Sequence, residues 1–232
     1  MATHIPKRFA ALKETAVSST QAPVLKGVVF DMDGTLCLPQ TYMFGEMRAA
    51  LGISKAIDIL EHIESLPAEE QPAAYNHIKN IEQEAMKSQT PQPGLSALMS
   101  YLDSRNIRKA ICTRNFQLPV QNLLSNFLPT SLFHPIVTRD FKPPKPSPAG
   151  ILHIAKNWGL EDGSGLIMVG DSIDDMMAGR AAGAATVLLL SDVNQHLMEH
   201  GATDLVIRQL DELVDILESG FQGREIIPEK AV

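Results

Sequence analysis

The chain has 232 residues, 44% of them hydrophobic and 20% charged, which suits one sizeable core with a small insert and excludes a disordered or collagen-like chain. Twenty basic residues stand against twenty-seven acidic ones, a formal charge of -7, so there is no basic field to hold nucleic acid non-specifically. The longest apolar runs fall far short of the roughly 20 residues of a membrane helix, and Cys37 and Cys112 lack the spacing of a zinc or redox pair. A cytoplasmic, reducing setting is expected, with neither membrane nor nucleic acid as a partner and with the chain a monomer or weak homo-oligomer.

In chain order, residues 1–24 carry Lys7, Arg8 and Lys13 beside Glu14 and lack the continuous apolar run of a secretory signal. They read as a surface leader, with a mitochondrial transit peptide as the alternative. Val24 to Phe30 predicts a buried strand. Tyr42 to Ser88 then reads as successive helices with no strand, broken at Gly52 and at Leu66-Pro67, and is taken as a small helical cap spanning 38–91. Thr90-Pro-Gln-Pro-Gly94 favours a stiff, extended return, where a hinge would sit. Helical periodicity follows over Leu95 to Ser104, a strand over Arg108 to Cys112, and a helix over Ala149 to Trp158. A strand at Leu166 to Val169 precedes a helix at Asp175 to Ala182, with Gly183 where that helix would stop. A last strand near Ala185 to Leu190 and a helix near Leu210 to Glu218 complete the pattern. Strands alternating with helices predict an α/β fold, a Rossmann-like parallel sheet flanked by helices, built from 25–37 and 92–221. Residues 222–232 are expected to form a flexible tail.

Ligands bind open parallel sheets at the carboxyl ends of the strands, so residues that follow different strands can meet. Asp31, Thr113 and Asp171 are placed that way, and Lys145 stands at an expected helix start in Lys145-Pro-Ser-Pro148. Carboxylates, a hydroxyl and an ammonium collected in one place suit a metal and a phosphate together. In order along the chain come Asp31-Met-Asp33-Gly-Thr35, Thr113, Lys145 and Gly170-Asp171-Ser-Ile-Asp174-Asp175, and with these four motifs the sequence resembles the haloacid dehalogenase superfamily. The helical insert and the stretch from Val169 to Gly183 look most like its phosphoglycolate phosphatase and beta-phosphoglucomutase branch.

That resemblance implies a Mg2+-dependent phosphatase acting on a small phosphorylated metabolite, with Asp31 as nucleophile and Asp33 as general acid and base. It implies Mg2+ held by the Asp31 carboxylate, the Asp33 main-chain carbonyl and Asp171, with Asp175 supporting the metal site by orienting a bound water or a neighbour. Thr113, Lys145 and the amides of Met32, Asp33 and Arg114 would hold the phosphoryl group. Lys145 fits the family's Lys-Pro-x-Pro form better than Lys142, which is left as a surface charge or an auxiliary contact.

Arg114 and Asn115 are candidates for substrate contact, with a strand-end salt bridge as the alternative for both; Asp174 reads as a solvated carboxylate at a helix start. Gln40 and Tyr42 are candidates to cover the leaving group, with core packing as the alternative and Met43 and Phe44 assigned to the core. An apolar cap would admit a greasy leaving group such as a prenyl phosphate, whereas a sugar phosphate needs more polar contacts. Both cysteines read as buried filler, and His196 with His200 as a solvated helix face. A phosphomutase would use the same aspartates, and a non-catalytic phospholigand-binding module is the alternative outside enzymes. Asp33 argues against a strict dehalogenase, and the lack of apolar spans against a pumping ATPase.

Overall fold

The computed structural model describes residues 6–13 and 22–225, so the expectations for the rest of the leader and for the end of the tail lie outside the described residues. Six strands form one fully parallel sheet: β1 (Gly27–Phe30), β2 (Arg108–Cys112), β3 (Ile136–Val137), β4 (Leu166–Gly170), β5 (Ala185–Leu189) and β6 (Leu205–Ile207). Their spatial order is β3-β2-β1-β4-β5-β6. β1, β4 and β5 are buried along their whole length, which is why they read as unbroken apolar runs rather than alternating ones. Alternation survives as a division between the two faces: Val28 and Phe30 join one apolar cluster, Val29 the other.

The first cluster lies under α4 (Leu95–Ser104), α5 (Gln117–Phe127) and α8 (Glu212–Ser219), with Leu98, Leu102, Leu123 and Leu213 buried in it. The second lies under α6 (Ala149–Asn157) and α7 (Ile173–Ala181), through Ile151, Ile154 and Ala178. β1 begins at Gly27 rather than Val24, whose side chain is exposed. α7 starts two residues ahead of expectation, because Ser172 and Asp175 close a capping box at its N-terminus.

Between β1 and α4 come α1 (Thr41–Leu51), α2 (Ile59–Ser65) and α3 (Gln71–Met86), which share an apolar cluster of their own around Met47, Ile63 and Ile78. Asp58 caps α2, its Oδ1 accepting from the Leu60 and Glu61 amides at 2.9 and 3.1 Å. The two passages joining these helices to the sheet run side by side. Leu38 donates to the Thr90 carbonyl at 2.8 Å, Gln92 to the Leu36 carbonyl at 3.1 Å, and the Gln92 side chain to the Gly34 carbonyl at 2.7 Å.

The described N-terminal segment packs on α8: the Phe9 amide donates to the Phe221 carbonyl at 3.0 Å and the Leu12 amide to the Leu217 carbonyl at 2.9 Å. Residues 222–224, expected to belong to a flexible tail, are held instead. Gly223 donates to the Lys7 carbonyl and Arg224 to the Asp204 carbonyl, both at 2.8 Å, and the Arg224 guanidinium meets Glu199 at 2.7 Å. Among the described residues, no helix is long and apolar enough to cross a membrane.

Candidate active site

β1 delivers Asp31 to the carboxyl end of the sheet, and its amide donates to the Val169 carbonyl of β4 at 2.9 Å. The chain then turns on the Met32 carbonyl, which accepts from the amides of Thr35, Leu36 and Cys37 at 3.2, 2.8 and 3.1 Å. Gly34, at φ 78°, is the apex of that turn, and a Cβ there would lie 2.1 Å from Asp171 Oδ2. Only glycine allows the two loops to approach so closely. β4 ends at Gly170, where a Cβ would strike the Asp175 side chain at 2.3 Å; Asp171 follows directly.

The Asp31, Asp171 and Asp175 carboxylates converge, each offering an oxygen within 4.8 Å of the others. Lys145 arrives from the loop before α6 and is buried between two of them, its Nζ donating to Asp31 at 2.6 Å and to Asp175 at 2.5 Å. One ammonium does not balance three carboxylates. Burial pushes Asp31 up to about 7, with Lys145 pulling it down and Asp175 adding to the rise. Burial, then the charges of Asp31 and Asp175, push Asp171 up to about 8.

A hard divalent cation, bound by oxygen, fits that uncompensated charge. Asp31 and Asp171 are the carboxylates best free to take it. Asp175 is fully buried, one oxygen on Lys145 and the other accepting from the Ser172 amide and hydroxyl at 3.1 and 2.6 Å, so both of its oxygens are already engaged.

Asp31, Lys145 and Asp171 open onto a cavity of about 340 Å³, whose floor they share with Asp33 and Thr113. Asp33 is held at both oxygens, Oδ2 by Asn115 Nδ2 at 2.6 Å and Oδ1 by the Cys37 thiol at 3.5 Å. Burial raises its pKa against the pull of those two hydrogen bonds. Cys37 itself is buried, its thiol pushed well up by burial and by Asp33, so it is a donor and not a nucleophile. Thr113 donates its amide to the Val137 carbonyl at 2.9 Å and accepts the Asn115 amide on its hydroxyl at 3.1 Å.

The candidates around this floor fare differently. Arg114 and Asn115 line the cavity, but the Arg114 guanidinium is taken up by Asp58 at 2.6 Å and Asp174 at 2.8 Å, and the Asn115 amide points to Asp33. Asp174 is therefore paired rather than solvated, because Arg114 lies opposite the start of α7. Gln40 lines the cavity while its amide donates to the Ala85 carbonyl at 2.7 Å, tying the start of α1 to the end of α3. Tyr42 stands outside it, half exposed, with its hydroxyl 3.3 Å from Ser88 Oγ; Phe44 and Met47, one helical turn apart, form the wall instead. Lys142 pairs with Glu64 of α2 and does not line the cavity.

Four residues escaped the sequence reading: Arg48, Asp58, Arg139 and, behind the wall, Glu82. Asp58, with Glu61 three residues on, carries a visible helix-start signature, which locates α2 but not its pairing with Arg114. Arg139 follows a strand of two residues, too short to leave a pattern.

A family model described as haloacid dehalogenase-like hydrolase matches residues 37–189. The chain is 48% identical over 201 residues to an uncharacterized hydrolase of Saccharomyces cerevisiae, with 84% of this chain and 92% of that one covered. A phosphoglycolate phosphatase of Cereibacter sphaeroides is 27% identical over 220 residues, covering 83% of this chain and 98% of its own. The crystal structure of a HAD hydrolase, family IA, variant 3, from Entamoeba histolytica superposes with a TM-score of 0.69 at 22% identity, over 84% of this chain and all of that one, and shares the fold.

Proposed function

The chain belongs to the haloacid dehalogenase-like hydrolase family, and from that premise we propose that it is a Mg2+-dependent phosphatase of small phosphomonoesters. The observation that carries the reading is the convergence of Asp31 and Asp33 with Asp171, Thr113 and Lys145 on the floor of one cavity. The likeness to phosphoglycolate phosphatases supports it.

A phosphomonoester is nearly a dianion, and each of its charges facing a carboxylate at 4 Å costs about 4 kcal/mol at an effective dielectric of 20. Asp31 needs that repulsion removed. Mg2+ held by Asp31, Asp171 and the Asp33 carbonyl would supply the positive charge. The Lys145 ammonium sits against Asp31 and also faces the incoming phosphoryl oxygens, while the Thr113 hydroxyl turns its proton to one of them.

An Asp31 oxygen forms a bond to phosphorus as the bond to the leaving oxygen breaks, and Asp33 delivers a proton to that oxygen. Water then attacks the aspartyl phosphate, giving a proton to Asp33, and the bond from phosphorus to Asp31 breaks to free phosphate. The raised pKa of buried Asp33 suits it to carry that proton. A cavity of about 340 Å³, with Phe44, Ile59 and Leu60 beside Arg48 and Asp58, favours a compact leaving group over a long isoprenoid chain.

Phosphate release from a panel of sugar, nucleotide, glycolate and prenyl phosphates, with Mg2+ and with chelator, tests the reading. Turnover should require the metal and vanish in Asp31→Asn. Metal-free turnover, or an Asp31→Asn enzyme as fast as the parent, would overturn it.

A further inference from the structure

Glu82 of α3 and Arg139, just beyond β3, form a buried ion pair across the contact between the helical insert and the sheet, 2% and 8% exposed and 2.5 Å apart. Burying a full guanidinium and a carboxylate is costly. The remaining bonds of Arg139 indicate what it holds. Its Nε donates to the Arg114 carbonyl at 2.7 Å and its own amide to the Asn115 carbonyl at 2.9 Å, while its guanidinium lies over the Phe116 ring at 4.0 Å. Three consecutive residues, 114 to 116, are thus fixed by one arginine. The middle one, Asn115, reaches Asp33 with its side-chain amide at 2.6 Å.

We propose that Glu82 and Arg139 are positioning residues for Asp33: with α3 seated on the sheet, Glu82 holds Arg139 in place, Arg139 holds the 114–116 turn, and Asn115 aims the Asp33 carboxylate. The insert thereby contributes to the placing of the acid and base through one buried side chain. Without Glu82, Arg139 has a buried charge to satisfy and every reason to swing toward the cavity, dragging Asn115 off Asp33. Burial pushes Glu82 up to about 7 against the pull of Arg139, as befits a carboxylate enclosed between α3 and the sheet. Phe116 adds a second tie, packing against the apolar cluster of the insert.

The inference rests on Asp33 being the general acid, and leaving-group dependence separates the two. With the Mg2+-loaded full chain, kcat/KM is measured for glycerol phosphate, whose alkoxide must be protonated to leave, and for 4-nitrophenyl phosphate, whose phenolate need not be. Asp33→Asn should lower the first by about 100-fold or more and the second by less than tenfold. Arg139→Lys, which keeps the charge but loses the fork, should lower the first by about tenfold and the second by less than about threefold. Asn115→Ala combined with Arg139→Lys should lose no more than Asn115→Ala alone, as expected of residues acting through one contact.

Should Arg139→Lys fail to fold, Glu82→Gln, which removes a charge and little volume, carries the same comparison. Equal losses on both substrates, or losses that multiply in the double variant, overturn the positioning role and leave the reading of Asp33 intact. An Asp33→Asn enzyme that shows no preference between the substrates overturns both.

Discussion

Lys142 and Lys145 share one proline-rich loop, yet one is half exposed against Glu64 and the other is buried between Asp31 and Asp175. Their replacements should separate cleanly. Lys145→Met leaves buried carboxylates without a counter-charge and is expected to cost about 3 kcal/mol or more, whereas Lys142→Met removes a solvated pair and should cost less than about 1 kcal/mol. Urea unfolding of the metal-free variants reads both, and equal losses would contradict the assignment. Gly34 gives a second residue-scale prediction. Alanine there meets Asp171 Oδ2 at 2.1 Å and adopts φ 78°, so Asp171 must withdraw. Gly34→Ala is expected to bind Mg2+ about tenfold more weakly or worse while remaining folded, as calorimetric titration would show. At this scale most of the floor was legible, because Asp31, Thr113 and Asp171 each directly follow a strand. What escaped were the pairings: the sequence displays Arg114 and Asp174 as two charges, and only the fold brings them to 2.8 Å.

Among the elements, the long apolar strands and the amphipathic helices declare themselves, while β3 and β6, of two and three residues, do not. They are completed by pairing with β2 and β5 and not by any pattern of their own. Missing β3 concealed Arg139, and missing α5 concealed the helix that covers β2. The N-terminus of α2 offers a prediction that separates two roles of one side chain. Asp58 caps the helix with Oδ1 and meets Arg114 with Oδ2. Asparagine caps equally well, so Asp58→Asn should lose only the partly exposed ion pair, less than about 1 kcal/mol, while Asp58→Ala loses about 1 kcal/mol more. Thermal unfolding of the two variants, with matching values for both, would show that the cap contributes nothing.

For the molecule as a whole, the order β3-β2-β1-β4-β5-β6 puts β1 at the centre with chain crossing away on either side, which is where open parallel sheets take their ligands. The result is a concentration of buried acid. Burial raises Asp31 and Glu82 to about 7 and Asp171 to about 8. An unfolded chain releases these protons near pH 4, so across the interval between about 4 and 8 the folded state binds more protons and stability falls as pH rises. The metal-free protein should therefore melt several degrees lower at about pH 8 than at about pH 5. Mg2+ bound at Asp31 and Asp171, as proposed, would compete with those protons and should flatten that decline. Calorimetry with and without Mg2+ reads both; a melting temperature that climbs with pH in the metal-free protein would contradict the charge balance described.

The paired passages at Leu36 to Leu38 and Thr90 to Gln92 bring the start and finish of the helical insert to within a hydrogen bond of each other. Seen from the sheet, the polypeptide between Leu38 and Thr90 departs and returns at nearly one point, like an excursion that leaves the circuit closed. A different excursion of any length could be spliced at that junction without asking the strands to move. The strands that deliver Asp31, Thr113 and Asp171 would stay in place through such an exchange, but an insert without Glu82 would leave Arg139 with a buried, unpaired charge.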